Sequence, residues 1–478
     1  MNIASTNTKR FLLFLIGYFT VIVLIRLMVS PTATLDETEQ IICSKFFAWG
    51  YYTQPPLYTW LQMLVFKFLD TSILGIAILK FSILFLAYIY VYKIAFLLTG
   101  NETKAILSSL SLMLFPRVIW ESQIELTHTV LLTTATAITI YYFFKILLKK
   151  VSVIDFVFLG IAIGIGFLAK YNYVLVITSL VITALLVTDY RKIFLNKGLF
   201  ISIIIVTVMV LPHFFWFINN LDIATAETVE KLTRLNDKNR LIQTLGGLAT
   251  LLTAVIAFLT PFWCVFILLF RKDIKWTRNN ETLALVLYIS VSIIILALLI
   301  LSGHVSKIKG RWLQPYLIFC PILFFTQIEL KDWKQNTKTY LKVIILAAVI
   351  VIIATLLRTY GSDFRKKPSK TNYPYEKIAN ILKEKIDEQT VIYTKDQMLG
   401  GNLLLLLPDA NVIVPPFNNT KPNQNKILFV SSKRYPLPVG ILDTDQYNCE
   451  KETLSAPFRF SSKFIYNIDV TTCSKRQL

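Results

Sequence analysis

The chain has 478 residues, 55% of them apolar and only 16% charged, a balance that excludes an ordinary water-soluble protein. Its formal charge of +20 invites a nucleic-acid reading, but Lys9-Arg10, Lys149-Lys150, Arg191-Lys192 and Arg271-Lys272 sit in short clusters between apolar runs. That is the positive-inside pattern of a membrane protein, not the basic stripe of a nucleic-acid binder, so no nucleic-acid partner is expected.

Apolar runs of roughly 18–22 residues recur, each long enough to cross about 30 Å of hydrocarbon. Such runs must be helical, because lipid offers the backbone no hydrogen-bond partner. In chain order the predicted spans are Phe11–Val29, Ile73–Leu98, Ala105–Phe115, Leu126–Leu148, Phe156–Ala169, Val174–Val187, Leu199–Phe217, Leu245–Phe270, Leu283–Leu301, Leu313–Phe325 and Leu341–Leu357. Ala105–Phe115 and Leu313–Phe325 are short for a full crossing. Phe11–Val29 is long for a signal peptide and lacks a small-x-small cleavage site, so it reads as an uncleaved first span.

With the N-terminus inside, the basic segments Lys149–Val153, Asp189–Lys197, Arg271–Asn280 and Lys331–Lys338 fall inside, and so does the nearly neutral Asn101–Lys104. The segments Ser30–Thr71, Arg117–Glu125, Lys170–Asn172, Ile218–Thr244 and Ser302–Trp312 fall outside, as does everything after Arg358. Within Ser30–Thr71, the stretches Thr38–Trp49 and Leu57–Phe68 carry helical periodicity and read as surface helices. Ile218–Thr244 is polar and long enough for a mobile loop.

From Arg358 the composition changes. Helices are expected over Tyr375–Ile386 and Asp396–Leu407, and strands over Thr390–Thr394, Asn411–Val414 and Lys426–Ser431, which together suggest an α/β domain. The reading is therefore a bacterial inner-membrane, multi-pass α-helical protein of about eleven spans over 1–357, with an extracytoplasmic α/β domain over 358–478. Cys264 and Cys320 read as buried thiols. Cys449 and Cys473 could pair if their domain lies in an oxidising compartment. No CxxC or Cys/His cluster suggests a structural metal.

Chemistry-bearing residues collect in the outer segments. Asp36 and Glu37 follow the first span. Asp36 is placed either to act as a general base or to cap a helix. Tyr52, Gln54, Pro55 and Pro56 form a rigid, aromatic entry into the stretch after them. Arg117, Glu121, Glu125 and His128 follow Pro116. They read as site residues or as an interfacial ion-pair group. Lys170 and Tyr171 follow Gly160-x-x-x-Gly164-x-Gly166, a close-packing signal, and place a cation where cations are scarce. His304, Lys307, Lys309, Arg311 and Trp312 crowd one short loop. Its cations suit a leaving phosphate, or else lipid headgroups.

Four features in order, Asp36-Glu37, Pro55-Pro56-Leu57-x-x-Trp60, Gly164-x-Gly166-x-x-x-Lys170-Tyr171 and Arg311-Trp312-x-x-Pro315-Tyr316, resemble the GT-C glycosyltransferases. Within that class the match is to bacterial relatives of protein O-mannosyltransferases and lipid A aminoarabinose transferases, and it covers roughly residues 10–330. The resemblance implies transfer of a sugar from a polyprenyl (undecaprenyl) phosphate donor, with inversion. The acceptor would be a hydroxyl or phosphate on lipid A, lipopolysaccharide or another envelope glycan or protein. Asp36 would be the base, with Glu37 in support. Lys170, Arg117, Lys307, Lys309 and Arg311 would hold the donor phosphate, and the lipid tail would lie in a groove between helices. Thr53-Gln54 stands where the aminoarabinose branch carries an acidic-basic pair, so that branch's sugar is not implied. No cofactor is required, although hard cations favour carboxylates and a divalent metal at Asp36-Glu37 stays open. A transporter or flippase of a lipid-linked saccharide is the competing reading, and a lipid-binding scaffold without turnover is a third.

Overall fold

The computed structural model describes residues 5–226, 240–276, 279–303, 308–329, 335–418, 424–432, 435 and 446–476. Among the described residues, seven helices are long and apolar enough to cross a membrane, or eight if the bent pair Tyr173–Leu186 and Thr188–Leu195 is one span. They include α1 (Thr6–Val29), Ile73–Thr99, Thr127–Leu148, Gly198–Asn219 and Gln335–Tyr360. All eleven predicted runs are helical at least in part. The runs that fall short are broken or brief. Ala105–Phe115 divides between helix Glu102–Leu110 and a 3₁₀ turn, and Leu313–Phe325 between Gln314–Leu317 and Cys320–Thr326, where Pro315 and Pro321 interrupt the backbone ladder.

The chain divides into two compact units. One comprises Met1–Thr20, Trp49–Tyr58 and Lys80–Val351, and the other Val21–Ala48, Thr59–Leu79 and Ile352–Leu478. The second takes in more than the tail, for a physical reason. Ile41 and Ile42 of α2 (Leu35–Cys43) and Ile76 belong to the same buried core as Ile378, Leu382, Leu399 and Leu403.

In the first unit, helix Val153–Ala169 lies against Gly198–Asn219 because glycines let the backbones close. A Cβ at Gly160 would stand 2.8 Å from the Ser202 carbonyl, and one at Gly164 would stand 2.7 Å from the Met209 sulfur. Ser202 Oγ donates to the Phe156 carbonyl at 2.6 Å across the same seam. Lys145 Nζ meets Asp155 at 2.6 Å where Thr127–Leu148 turns into Val153–Ala169.

In the second unit, β1 (Thr390–Tyr393), β2 (Asn411–Ile413), β3 (Lys426–Ser432), β4 (Tyr447–Pro457) and β5 (Ile465–Lys475) form one sheet in the order β2-β1-β3-β5-β4. β1 runs parallel to β2 and β3, while β5 is antiparallel to β3 and β4. Helix Tyr375–Lys383 buries Tyr375, Ile378, Ala379 and Leu382, one stripe at i, i+3, i+4 and i+7. Helix Gln397–Leu406 starts where Asp396 accepts from the Met398 and Leu399 N–H groups at 3.0 and 3.2 Å. Sequence reading missed β4 and β5 but left the Cys449–Cys473 pairing open, and the structure joins these two cysteines, a register pair of β4 and β5, by a disulfide.

Candidate active site

The helix carrying Asp36 begins earlier than periodicity suggests, at Leu35, because Thr34 and Glu37 form a reciprocal capping box. Asp36 stands in its first turn and is half-buried. Glu37 is fully buried. Its carboxylate meets Arg26 Nη2 at 2.6 Å and Nε at 3.2 Å, and accepts the Thr34 N–H at 2.9 Å. Arg26 also donates to the carbonyls of Ser30 and Thr32, both at 2.8 Å. One buried guanidinium thus pins the turn that leads into α2. Glu37 belongs to that scaffold. Among the described residues, no three His, Cys, Asp or Glu side chains converge as metal ligands.

In the first unit, Tyr51 and Gln54 exchange backbone hydrogen bonds of 3.1 and 2.8 Å, closing a tight turn with Tyr52 at φ 47°. Pro55 and Pro56 are buried directly after it. An aromatic stack fixes this segment. The Trp216 ring lies on Gly50, where a Cβ would come within 2.1 Å of it, and His213 Nδ1 sits 2.6 Å from the Trp49 carbonyl. Tyr171 stacks on His213 with centroids 5.7 Å apart, and its hydroxyl is buried without a hydrogen-bond partner.

Lys170 ends helix Val153–Ala169 and donates to Thr129 Oγ1 at 2.9 Å. His128 packs beside Tyr58 and approaches the Ala169 carbonyl at 3.3 Å. This brings Lys170 and His128 to one helix-end junction.

Arg117 and Arg311 form a second focus. Arg117–Glu121 is a π-helical turn, a geometry that recurs at functional sites. Within it Arg117 pairs with Glu121. The Arg117 guanidinium rests against Gly310, where a Cβ would lie 2.6 Å from Nε. Partial burial, and then the charge of neighbouring Arg311, lower the Arg117 pKa from its usual value. Among the described residues, Arg311 Nε is buried with no hydrogen-bond partner. Two guanidiniums that repel each other, one with an unmet donor, make a ready anion site. Lys309 is exposed beside them, Trp312 is half-buried in the same 3₁₀ turn, and Glu125 follows the Arg117 turn. His304 and Lys307 lie outside the described residues.

Sequence reading missed three buried polar side chains. Arg26 and Lys80 lie within apolar runs, and Lys80 Nζ donates to the Gln123 carbonyl at 3.0 Å, holding the segment after Arg117. Gln314 is fully buried, and among the described residues neither end of its amide has a partner. Its only signal was a polar residue set between Leu313 and Pro315.

The family model of the dolichyl-phosphate-mannose-protein mannosyltransferases matches residues 53–216. Across the fold, this chain is similar to ArnT from Cupriavidus metallidurans bound to undecaprenyl phosphate, with a TM-score of 0.63, 13% identity and 98% of both chains covered. It is also similar to arabinofuranosyltransferase AftD from Mycobacteria, with a TM-score of 0.51 and 11% identity over 97% of this chain and 40% of that one. These likenesses define the fold of a GT-C membrane glycosyltransferase. The lipopolysaccharide core galacturonosyltransferase RgtB of Rhizobium johnstonii is 32% identical over 87% of this chain and 85% of its own length. RgtA of the same organism is 29% identical over 87% and 84%. The chain belongs to the GT-C glycosyltransferases, in the family that holds these galacturonosyltransferases. It is a multi-pass membrane glycosyltransferase.

Proposed function

We propose that this enzyme transfers a sugar from a polyprenyl-phosphate donor to the core of lipopolysaccharide, on the periplasmic side of the inner membrane. The observation that carries the reading is the Arg117–Arg311 pair at Gly310, with its unmet donor. It suits the phosphate of a lipid-linked sugar better than a transported neutral solute. The names of RgtA and RgtB support the lipopolysaccharide core as acceptor and make galacturonic acid the first sugar to test. The Cys449–Cys473 disulfide supports an oxidising, periplasmic setting for the C-terminal part.

In the proposed step an acceptor oxygen attacks the anomeric carbon as the bond from that carbon to the phosphate oxygen breaks. The acceptor proton passes to Asp36. The bonding pair leaves with the phosphate, whose charge Arg117 and Arg311 neutralise, assisted by Lys170 and Lys309. A single displacement inverts the sugar carbon. Mass spectrometry of lipopolysaccharide from a deletion strain, complemented with wild type or with Asp36→Asn, tests this. A sugar mass lost on deletion, and restored only by wild type, is expected. Restoration by both proteins removes Asp36 as the base, and an unchanged core in the deletion strain removes this acceptor.

A further inference from the structure

The second unit holds a cavity of about 620 Å³, far larger than a water site and within the size range of ligand pockets, roughly 300–1,000 Å³. Tyr373 and Tyr466 form its aromatic wall, edge to face with centroids 5.0 Å apart. The amides of Asn467 and Gln397 line it, as do the carboxylates of Asp396 and Asp469. Its floor reaches Leu35, the residue directly before Asp36, and Gln397 Nε2 donates to the Leu35 carbonyl at 2.9 Å.

The aromatic, amide and carboxylate groups of the lining fit one ligand chemistry. Tyrosine faces and edges accept the C–H surface of a sugar ring. Side-chain amides offer both a donor and an acceptor to vicinal hydroxyls. The two acids are held in place by other partners. Asp396 caps a helix and accepts from Ser432 Oγ at 3.1 Å, while Asp469 meets Lys451 at 2.9 Å and Thr453 Oγ1 at 2.9 Å. Lys370 also lines the cavity, so its charged lining is two carboxylates and one cation, and both carboxylates can accept from sugar hydroxyls.

We infer that this pocket binds a hydroxyl-rich pyranose of the acceptor saccharide, held beside the first turn of α2, which carries Asp36. The inference rests on the proposed transfer to a glycan and adds the acceptor subsite. Through the contact with Leu35, the pocket couples acceptor binding to the position of α2.

The test uses the full chain in detergent. Its probe is the core oligosaccharide of the deletion strain, freed of lipid by mild acid, followed by saturation-transfer-difference NMR. Wild type should saturate the sugar ring protons. Asn467→Ala, an exposed side chain with little packing to lose, and Tyr466→Ala should each weaken binding about tenfold, with thermal unfolding measured alongside to confirm the fold. Silence from wild type, or unchanged binding in a folded Asn467→Ala protein, overturns the pocket. Sugar transfer to lipopolysaccharide is assayed in parallel. Transfer by wild type with pocket-independent binding rejects the pocket and keeps the function. Pocket-dependent binding with no transfer keeps the pocket and rejects the function.

Discussion

Arg26 and Glu37 show how a residue that looks chemical in sequence can be structural. Their ion pair is buried, at 7% and 0% exposure, so breaking one side leaves a charge with neither water nor partner. Arg26→Met should destabilise by about 3–5 kcal/mol, whereas the double change Arg26→Met with Glu37→Leu should cost much less. Thermal unfolding of the set in one detergent checks the non-additivity. Gly310 makes the complementary case at the proposed phosphate site. Gly310→Ala would put a Cβ against Arg117 Nε, so it should displace that guanidinium and weaken donor binding, read as a raised donor KM, while leaving the unfolding temperature nearly unchanged. The cations Arg117, Lys170 and Arg311 stand out in the sequence because positive charge in segments expected outside the membrane breaks a simple rule. Arg26 and Lys80 were not legible, because one charge among many apolar residues hardly changes the character of a span.

At the scale of elements, the membrane helices were read well, since length and hydropathy follow directly from the thickness of lipid. β4 and β5 were not. Tyr447–Pro457 carries Glu450, Lys451 and Glu452 in succession and is mostly exposed, as an edge strand tends to be, so it offers no alternating apolar face. Cys449 and Cys473 were the available signal, being a paired position of that ribbon. Their bridge closes a span of 24 residues. Replacing both with serine should lower the stability of this part by about 3 kcal/mol, seen as faster hydrogen exchange along β4 and β5.

For the whole molecule, the division of the chain matters more than the count of spans. A cut after Arg358 looks natural in sequence because composition changes there. The core of the second unit nevertheless draws Ile41, Ile42 and Ile76 from far upstream, and each is at most 1% exposed. A protein truncated after Tyr360 would leave those side chains uncovered, at roughly 1.5–3 kcal/mol each. It should fail to accumulate in membranes, and normal accumulation with altered acceptor choice would show that the two parts are separable. The central claim is tested most directly with purified protein, a polyprenyl-phosphate sugar donor and lipopolysaccharide from the deletion strain, following the label from donor to acceptor. Wild type should transfer it, Arg311→Ala should be slower by roughly 10²–10³ and Asp36→Asn by roughly 10²–10⁴. Equal transfer by all three proteins, or none by wild type, would contradict the account.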